Sequence, residues 1–205
     1  MSRIKICGLS REEDVEYANI CLPDYIGFVF AESRRRIDAE KAAALKSRLN
    51  PCVKAVGVFV NEEPAKIKAL CDARITDLIQ LHGDEDEAYI LSLKSMIMQP
   101  VIKAVAAEAS MGETSSAADY LLFDTGGTGL RGGSGRTFSW EIVRDVKKPY
   151  FLAGGLNAGN IAEALRMLDP FCIDVSSGVE TGGRKDFEKM RVIVRAVRAA
   201  DRLQR

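Results

Sequence analysis

Two residues of this chain have the chemistry to move protons on a small molecule: Cys7, followed by Gly8, and Asp124, followed by Thr125. An unperturbed thiol titrates at about 8.5, and a polar site lowers that enough for the thiolate to accept a proton. A carboxylate that closes an apolar run is either functional or partnered, so Asp124 serves as an acid or base or caps the loop behind it. Gly154-Gly155 and Ser176-Ser177-Gly178 are turns of small residues. Such turns let backbone N–H groups reach phosphate oxygens, and two in succession favour a phosphate site over simple tight turning. The Arg34-Arg35-Arg36 run is either a solvated loop or a bidentate grip for a carboxylate. His82 is a ligand contact or a satisfied polar residue at a strand end. The remaining cysteines, Cys21, Cys52, Cys71 and Cys172, read as small apolar residues.

These groups need elements that bring them together. Apolar, β-rich runs lie at residues 4–7, 25–30, 54–60, 77–81, 101–105, 120–124, 150–153 and 172–175. They are apolar throughout rather than alternating, as parallel strands buried on both faces are. Between them, residues 11–20, 39–49, 63–73, 85–96, 140–146, 160–168 and 187–203 repeat apolar side chains at helical spacing. Ser10, Asp84 and Asn157 mark helix starts. Residues 106–118, with Gly112 and a Thr114-Ser115-Ser116 cluster, give poor helix signals. The pattern predicts one α/β domain over residues 1–205: a single (β/α)8 TIM barrel with a weak or irregular fifth helix. In that fold the active site lies at the carboxyl ends of the strands, where Cys7, His82, Asp124, Asp174 and the small-residue turns all fall.

The bulk composition narrows the field. Lys plus Arg and Asp plus Glu each number 29, which leaves no positive surplus for nucleic acid. No apolar stretch approaches the roughly 20 residues that span a bilayer. Five cysteines, odd in number and without a CxxC pair, read as free thiols of a reducing, cytoplasmic compartment. A single histidine rules out a multi-histidine metal site, and no metal is expected.

At this point the sequence resembles a known family. Lys5-Ile6-Cys7-Gly8-Leu9 is similar to the amino-terminal signature of phosphoribosylanthranilate isomerases. Gly27-Phe28-Val29-Phe30 with Ser33-Arg34-Arg35, Val56-Gly57-Val58-Phe59-Val60-Asn61 and Gln80-Leu81-His82-Gly83 continue it in order. So do Asp124-Thr125, Gly132-Gly133-Ser134-Gly135-Arg136-Thr137-Phe138-Ser139-Trp140, Ala153-Gly154-Gly155-Leu156-Asn157, Asp174-Val175-Ser176-Ser177-Gly178-Val179-Glu180 and Lys185-Asp186. The resemblance implies a cofactor-free Amadori rearrangement of a phosphorylated aminosugar in tryptophan biosynthesis. Asp124 would be the general acid that opens the furanose ring, and Cys7 the base that takes the C2′ proton. Arg35 would hold the anthranilate carboxylate, with His82 a further substrate contact. Gly154, Gly155, Ser176, Ser177 and Gly178 would hold the phosphate, and Asp174 would orient the ribose. The partner is a small phosphorylated substrate, not nucleic acid or membrane, and the chain is a monomer or a homodimer. Two departures stand out. The loop after the second strand is short, with Arg36 where the family has an aromatic residue, which leaves the choice among Arg34, Arg35 and Arg36 open. Arg136 stands where the family often has lysine. Residues 126–131 read as a lid that excludes water.

Three rivals carry other expectations. The related sugar isomerase of histidine synthesis uses carboxylates in both acid–base roles, and Cys7 stands against it. The neighbouring indole-forming synthase needs a Lys–Glu set at strand ends, for which Lys54 and Lys103 are the available lysines. A catalytically dead barrel would bind a phosphorylated metabolite without turning it over.

Overall fold

The runs of apolar residues become the eight parallel strands of a closed barrel, in a computed structural model that describes residues 2–106, 116–124 and 140–203. The strands are β1 (Arg3–Cys7), β2 (Tyr25–Val29), β3 (Lys54–Phe59), β4 (Leu78–Leu81), β5 (Val101–Ala106), β6 (Tyr120–Asp124), β7 (Tyr150–Leu152) and β8 (Cys172–Val175). Each pairs with the next in the chain, and β8 returns to β1 with Lys5 opposite Asp174. The expected boundaries hold to within one residue at every strand end.

Among the described residues six α-helices clothe this barrel: α1 (Glu12–Cys21), α2 (Ala39–Ser47), α3 (Pro64–Asp72), α4 (Glu87–Met96), α5 (Ile161–Met167) and α6 (Phe187–Leu203). Local chemistry sets their starts. Asp38 caps α2 by accepting from the Lys41 N–H, and Pro64 opens α3, where its missing N–H costs nothing. The start of α4 corrects the expected one: Asp86 caps it through the Tyr89 N–H, while Asp84 is held by Asn61. α1 begins without a Ser10 side-chain cap; instead Asp14 accepts from the Ser10 and Arg11 N–H groups. The expected helix over 140–146 is a 3-10 turn, Trp140–Val143, continued by further i→i+3 bonds to Arg144 and Val146. Pro149, directly before β7, disfavours helical backbone in the residue it follows and ends the segment. In the weak fifth connection residues 107–115 lie outside the described residues, as do the proposed lid and Arg136; the fifth helix in chain order, α5, is short at 7 residues. Among the described residues no helix is long and apolar enough to cross a membrane.

Two cores result. One lies between strands and helices, and the other fills the barrel around Tyr25, Val56, Leu78, Ile102, Leu122, Phe151 and Cys172. Phe151, fully buried, meets Tyr25 at 5.9 Å, Tyr120 at 5.7 Å and Phe171 at 5.6 Å between ring centroids. This apolar plug closes one end of the barrel and leaves the carboxyl ends of the strands open. A Phe151→Ala substitution should therefore lower the unfolding free energy by about 3–5 kcal/mol in urea titrations followed by circular dichroism. A loss under about 1 kcal/mol would mean that the plug collapses freely around the gap.

Candidate active site

The open end of the barrel holds a cavity of about 410 Å³, lined by Cys7, Val29, Arg35, His82, Asp124, Gly154, Gly155, Asp174, Ser176 and Ser177 among others. That volume suits a small organic ligand. Residues from β1, β4, β6, β7 and β8, far apart in sequence, thus meet at one mouth. Gly178 is not in the wall but behind it. A Cβ there would lie 2.0 Å from the Leu156 carbonyl oxygen, so only glycine lets the turns after β7 and β8 close on each other. Gly154 and Gly155 both have positive φ, 86° and 63°.

The floor is ionic. Lys5 is fully buried, and its ammonium donates to Asp174 Oδ2 at 2.6 Å and to Gln80 Oε1 at 2.8 Å. Lys5 was not singled out by the sequence reading, although the alternation Arg3-Ile4-Lys5-Ile6-Cys7 places it on the same inward face as Cys7. Burial alone would lower the Lys5 pKa, but the charges of Asp174 and Cys7 override it and hold the ammonium well above the ordinary lysine value. The other Asp174 oxygen, Oδ1, is buried with no hydrogen-bond partner among the described residues, an open acceptor in a residue of the cavity wall.

Cys7 departs from the expectation of a lowered thiol. Burial pushes its pKa up, the Lys5 charge pulls it down, Asp174 pushes it up again, and desolvation wins. The space for its sulfur comes from Gly27 on β2, where a Cβ would sit 2.7 Å from Sγ. Ser176 Oγ donates to the Cys7 carbonyl at 3.0 Å, fastening the turn after β8 to the end of β1. On the far wall His82 Nδ1 is 2.8 Å from Gln80 Nε2, and its Nε2 is 3.6 Å from Asp124 Oδ2.

The three arginines separate cleanly. Arg35 alone lines the cavity; Arg36 pairs with Glu32 at 2.8 Å, and Arg34, largely exposed, reaches Glu180 at 2.7 Å. Arg35 gives Nε and Nη2 to the two Glu180 oxygens at 2.7 and 2.9 Å, leaving Nη1 as the arm of its fork unbonded among the described residues. Glu180 is presented by a small hairpin, β9 (Glu180–Thr181) and β10 (Arg184–Lys185), turned by Gly182 and Gly183 at positive φ. Lys185, buried beside it, donates to Glu180 at 2.8 Å and to the Ser176 carbonyl at 3.0 Å. The adjacent Gly182-Gly183 pair was the available signal for this hairpin. Lys54 and Lys103 stay outside the cavity lining: Lys54 is exposed at the start of β3, and Lys103 binds Glu85 at 2.9 Å and the Gly83 carbonyl at 2.7 Å.

Comparison with known proteins gives the family. A family model described as N-(5′-phosphoribosyl)anthranilate (PRA) isomerase matches residues 4–196. The chain belongs to that family. The PRA isomerase of Endomicrobium trichonymphae is 49% identical over 199 residues, covering 97% of this chain and all of that one (100%). Among solved structures, phosphoribosyl anthranilate isomerase from Thermotoga maritima superposes with a TM-score of 0.85 at 34% identity, covering 97% of this chain and 100% of that one. A PRA isomerase in complex with reduced 1-(o-carboxyphenylamino)-1-deoxyribulose 5-phosphate gives a TM-score of 0.82 at 33% identity, with 97% and 100% covered. Within this PRA isomerase fold the short loop after β2 thus still delivers one arginine to the mouth.

The Glu180 cluster carries a pH dependence of known sign. Burial would raise Glu180, but hydrogen bonds from Arg35 and Lys185 override it and hold the carboxyl below its ordinary value of 4.5. Burial lowers Lys185 against the pull of this one carboxylate, whereas Glu180 has Arg34, Arg35 and Lys185 all bonded to it. A group lowered in the folded state stabilises above its unfolded value and stops doing so as pH falls through the folded one. Glu180→Gln should cost roughly 1.5–3 kcal/mol at neutral pH. That difference from the wild type should shrink as unfolding is measured at successively lower pH below 4.5. A difference that stays constant with pH would show that Glu180 acts by shape rather than charge.

Proposed function

We propose that this chain catalyses the Amadori rearrangement of N-(5′-phosphoribosyl)anthranilate to 1-(2-carboxyphenylamino)-1-deoxyribulose 5-phosphate in tryptophan biosynthesis, as one cytoplasmic barrel domain. The observation that carries the reading is the convergence of Cys7, Asp124, Arg35 and the turns after β7 and β8 on one cavity. The family match, and the product-like ligand named for a solved relative, support the same substrate.

Asp124 gives its proton to the furanose ring oxygen. The C1′–O bond then breaks as the anthranilate nitrogen lone pair forms the Schiff base. Cys7, as thiolate, removes the C2′ proton, and its electrons neutralise the iminium to give the enolamine. That intermediate gains a proton at C1′ as its C2′ hydroxyl loses one, yielding the ketone. Protons move and no electrons leave the substrate, so the reaction balances without a cofactor. One group starts protonated and the other deprotonated; on the base side it is the Lys5 charge that favours the thiolate, against the burial that opposes it. The free Nη1 of Arg35 takes the anthranilate carboxylate, while Glu180 keeps the guanidinium plane in place. The backbone of Gly154, Gly155, Ser176 and Ser177 receives the phosphate, and Gly178 behind them lets the two turns close on each other. Asp174 Oδ1 accepts a ribose hydroxyl, and His82 lines the wall on the acid side.

The test is turnover of freshly made phosphoribosylanthranilate, followed by loss of its fluorescence. Cys7→Ser and Asp124→Asn should each slow turnover by about 10²- to 10⁴-fold with unchanged circular dichroism, the range for losing a general acid or base. No decay with folded wild-type protein would overturn the assignment.

A further inference from the structure

Gln80 does not touch the acid, yet the orientation of its amide decides what His82 can offer there. An ammonium has only donors, so the part of the Gln80 side chain 2.8 Å from Lys5 Nζ is its carbonyl oxygen. The NH₂ end then faces His82 Nδ1, also at 2.8 Å. That end has only hydrogens to give, so Nδ1 accepts and carries no proton. A neutral imidazole keeps its one proton on the other nitrogen, and Nε2 is the atom 3.6 Å from Asp124 Oδ2. This separation is just beyond hydrogen-bond length, and such contacts commonly tighten when substrate binds.

We infer that buried Lys5, acting through Gln80, locks His82 in the Nε2–H tautomer, so that the imidazole is a neutral donor held ready for the Asp124 carboxylate. Gln80 and Lys5 are positioning residues for the acid, and the inference rests on the reading of Asp124 in that role. The relay excludes two alternatives. An Nδ1–H ring would meet the Gln80 NH₂ donor to donor, and so would the doubly protonated ring. The second exclusion matters for the reaction, because an imidazolium beside Asp124 would favour its ionised form and leave it no proton to give. A neutral N–H favours the carboxylate far less than a full positive charge does, and its hydrogen bond strengthens as the ring oxygen takes the proton. Asp174 completes the device by holding Lys5 as an ammonium, incapable of accepting from Gln80.

The chain has one histidine, so ¹⁵N-histidine labelling of the full-length protein reports His82 alone. At neutral pH the ring should show a protonated Nε2 and an unprotonated Nδ1; the reverse pattern, or a doubly protonated ring, overturns the inference. Gln80→Glu keeps an acceptor for Lys5 but replaces the donor facing Nδ1 with an acceptor. In that variant Nδ1 should become protonated, and kcat should fall about 10- to 100-fold with KM changed less than about threefold. An Nδ1 that stays unprotonated, or an unchanged kcat, overturns the relay, and so does a change confined to KM. If Gln80→Glu does not fold, Gln80→Met is measured in its place and should show a mixed tautomer with the same loss of kcat; a ring still fully in the Nε2–H form overturns the relay. The tautomer is read without turnover, so failure of the isomerase reading appears as inactive wild type, whereas failure of the relay appears as the wrong ring nitrogen in active wild type.

Discussion

The ammonium of Lys5, buried in the middle of the barrel, constrains everything around it. An ion taken out of water costs several kcal/mol even after relaxation, and is tolerated only where partners meet it with good geometry. Here those partners come from β8 and β4, so three strands must be in register at once. Lys5 and Asp174 face each other across the seam where the last strand rejoins the first. A slip of one residue at that seam would turn the Asp174 side chain out of the barrel and strand the charge. The same ion divides the interior: apolar plug on one side, polar cavity on the other.

Above that floor the loops are tied to one another by charge as well as by apolar packing. Glu180 collects Arg34, Arg35 and Lys185, which ties the loop after β2 to the hairpin after β8. Glu85 does the same between β3, β4 and β5, accepting from the Asn61 and Gly83 N–H groups and from Lys103. Both carboxylates are buried enough for their partners to matter, and in each burial opposes the ionised form while the hydrogen bonds win. Arg35 illustrates the consequence. With two of its nitrogens committed to Glu180, its plane is set before any ligand arrives, and the entropy of ordering a long side chain is already spent.

Much of this was legible in the sequence because buried parallel strands have an unmistakable signature. Runs such as Tyr25–Val29 and Cys172–Val175 are apolar on both faces apart from one interruption each, Gly27 and Asp174. The candidate chemistry was legible for a related reason, since the fold itself decides which ends of the strands form the mouth. What escaped was whatever depends on two elements at once. Asp84 and Asp86 look alike as helix caps, and only the position of Asn61 across the loop decides between them. Three adjacent arginines look alike until the fold sets Arg35 in the cavity wall with two bonds to Glu180, Arg34 outside it with one, and Arg36 on Glu32. Lys5 reads as one more charged residue near the amino terminus until Asp174 and Gln80 are set against it.

The thiol is where the expectation and the structure part most sharply, and the difference is informative. A polar site was expected to ease the ionisation of Cys7, yet the same closure that builds the floor also dries the sulfur, and drying outweighs the nearby Lys5 charge. A thiol that resists ionisation is the stronger base once it has ionised, but a smaller fraction of it is ionised at neutral pH, and the Lys5 charge works against that loss. Cys7 is therefore tuned by opposed ions in direct reach, Lys5 against Asp174. His82, across the cavity, is set through the neutral amide of Gln80, which brings no net charge to that wall. One buried lysine thus reaches both walls, by its field on the side of the base and by hydrogen-bond direction on the side of the acid.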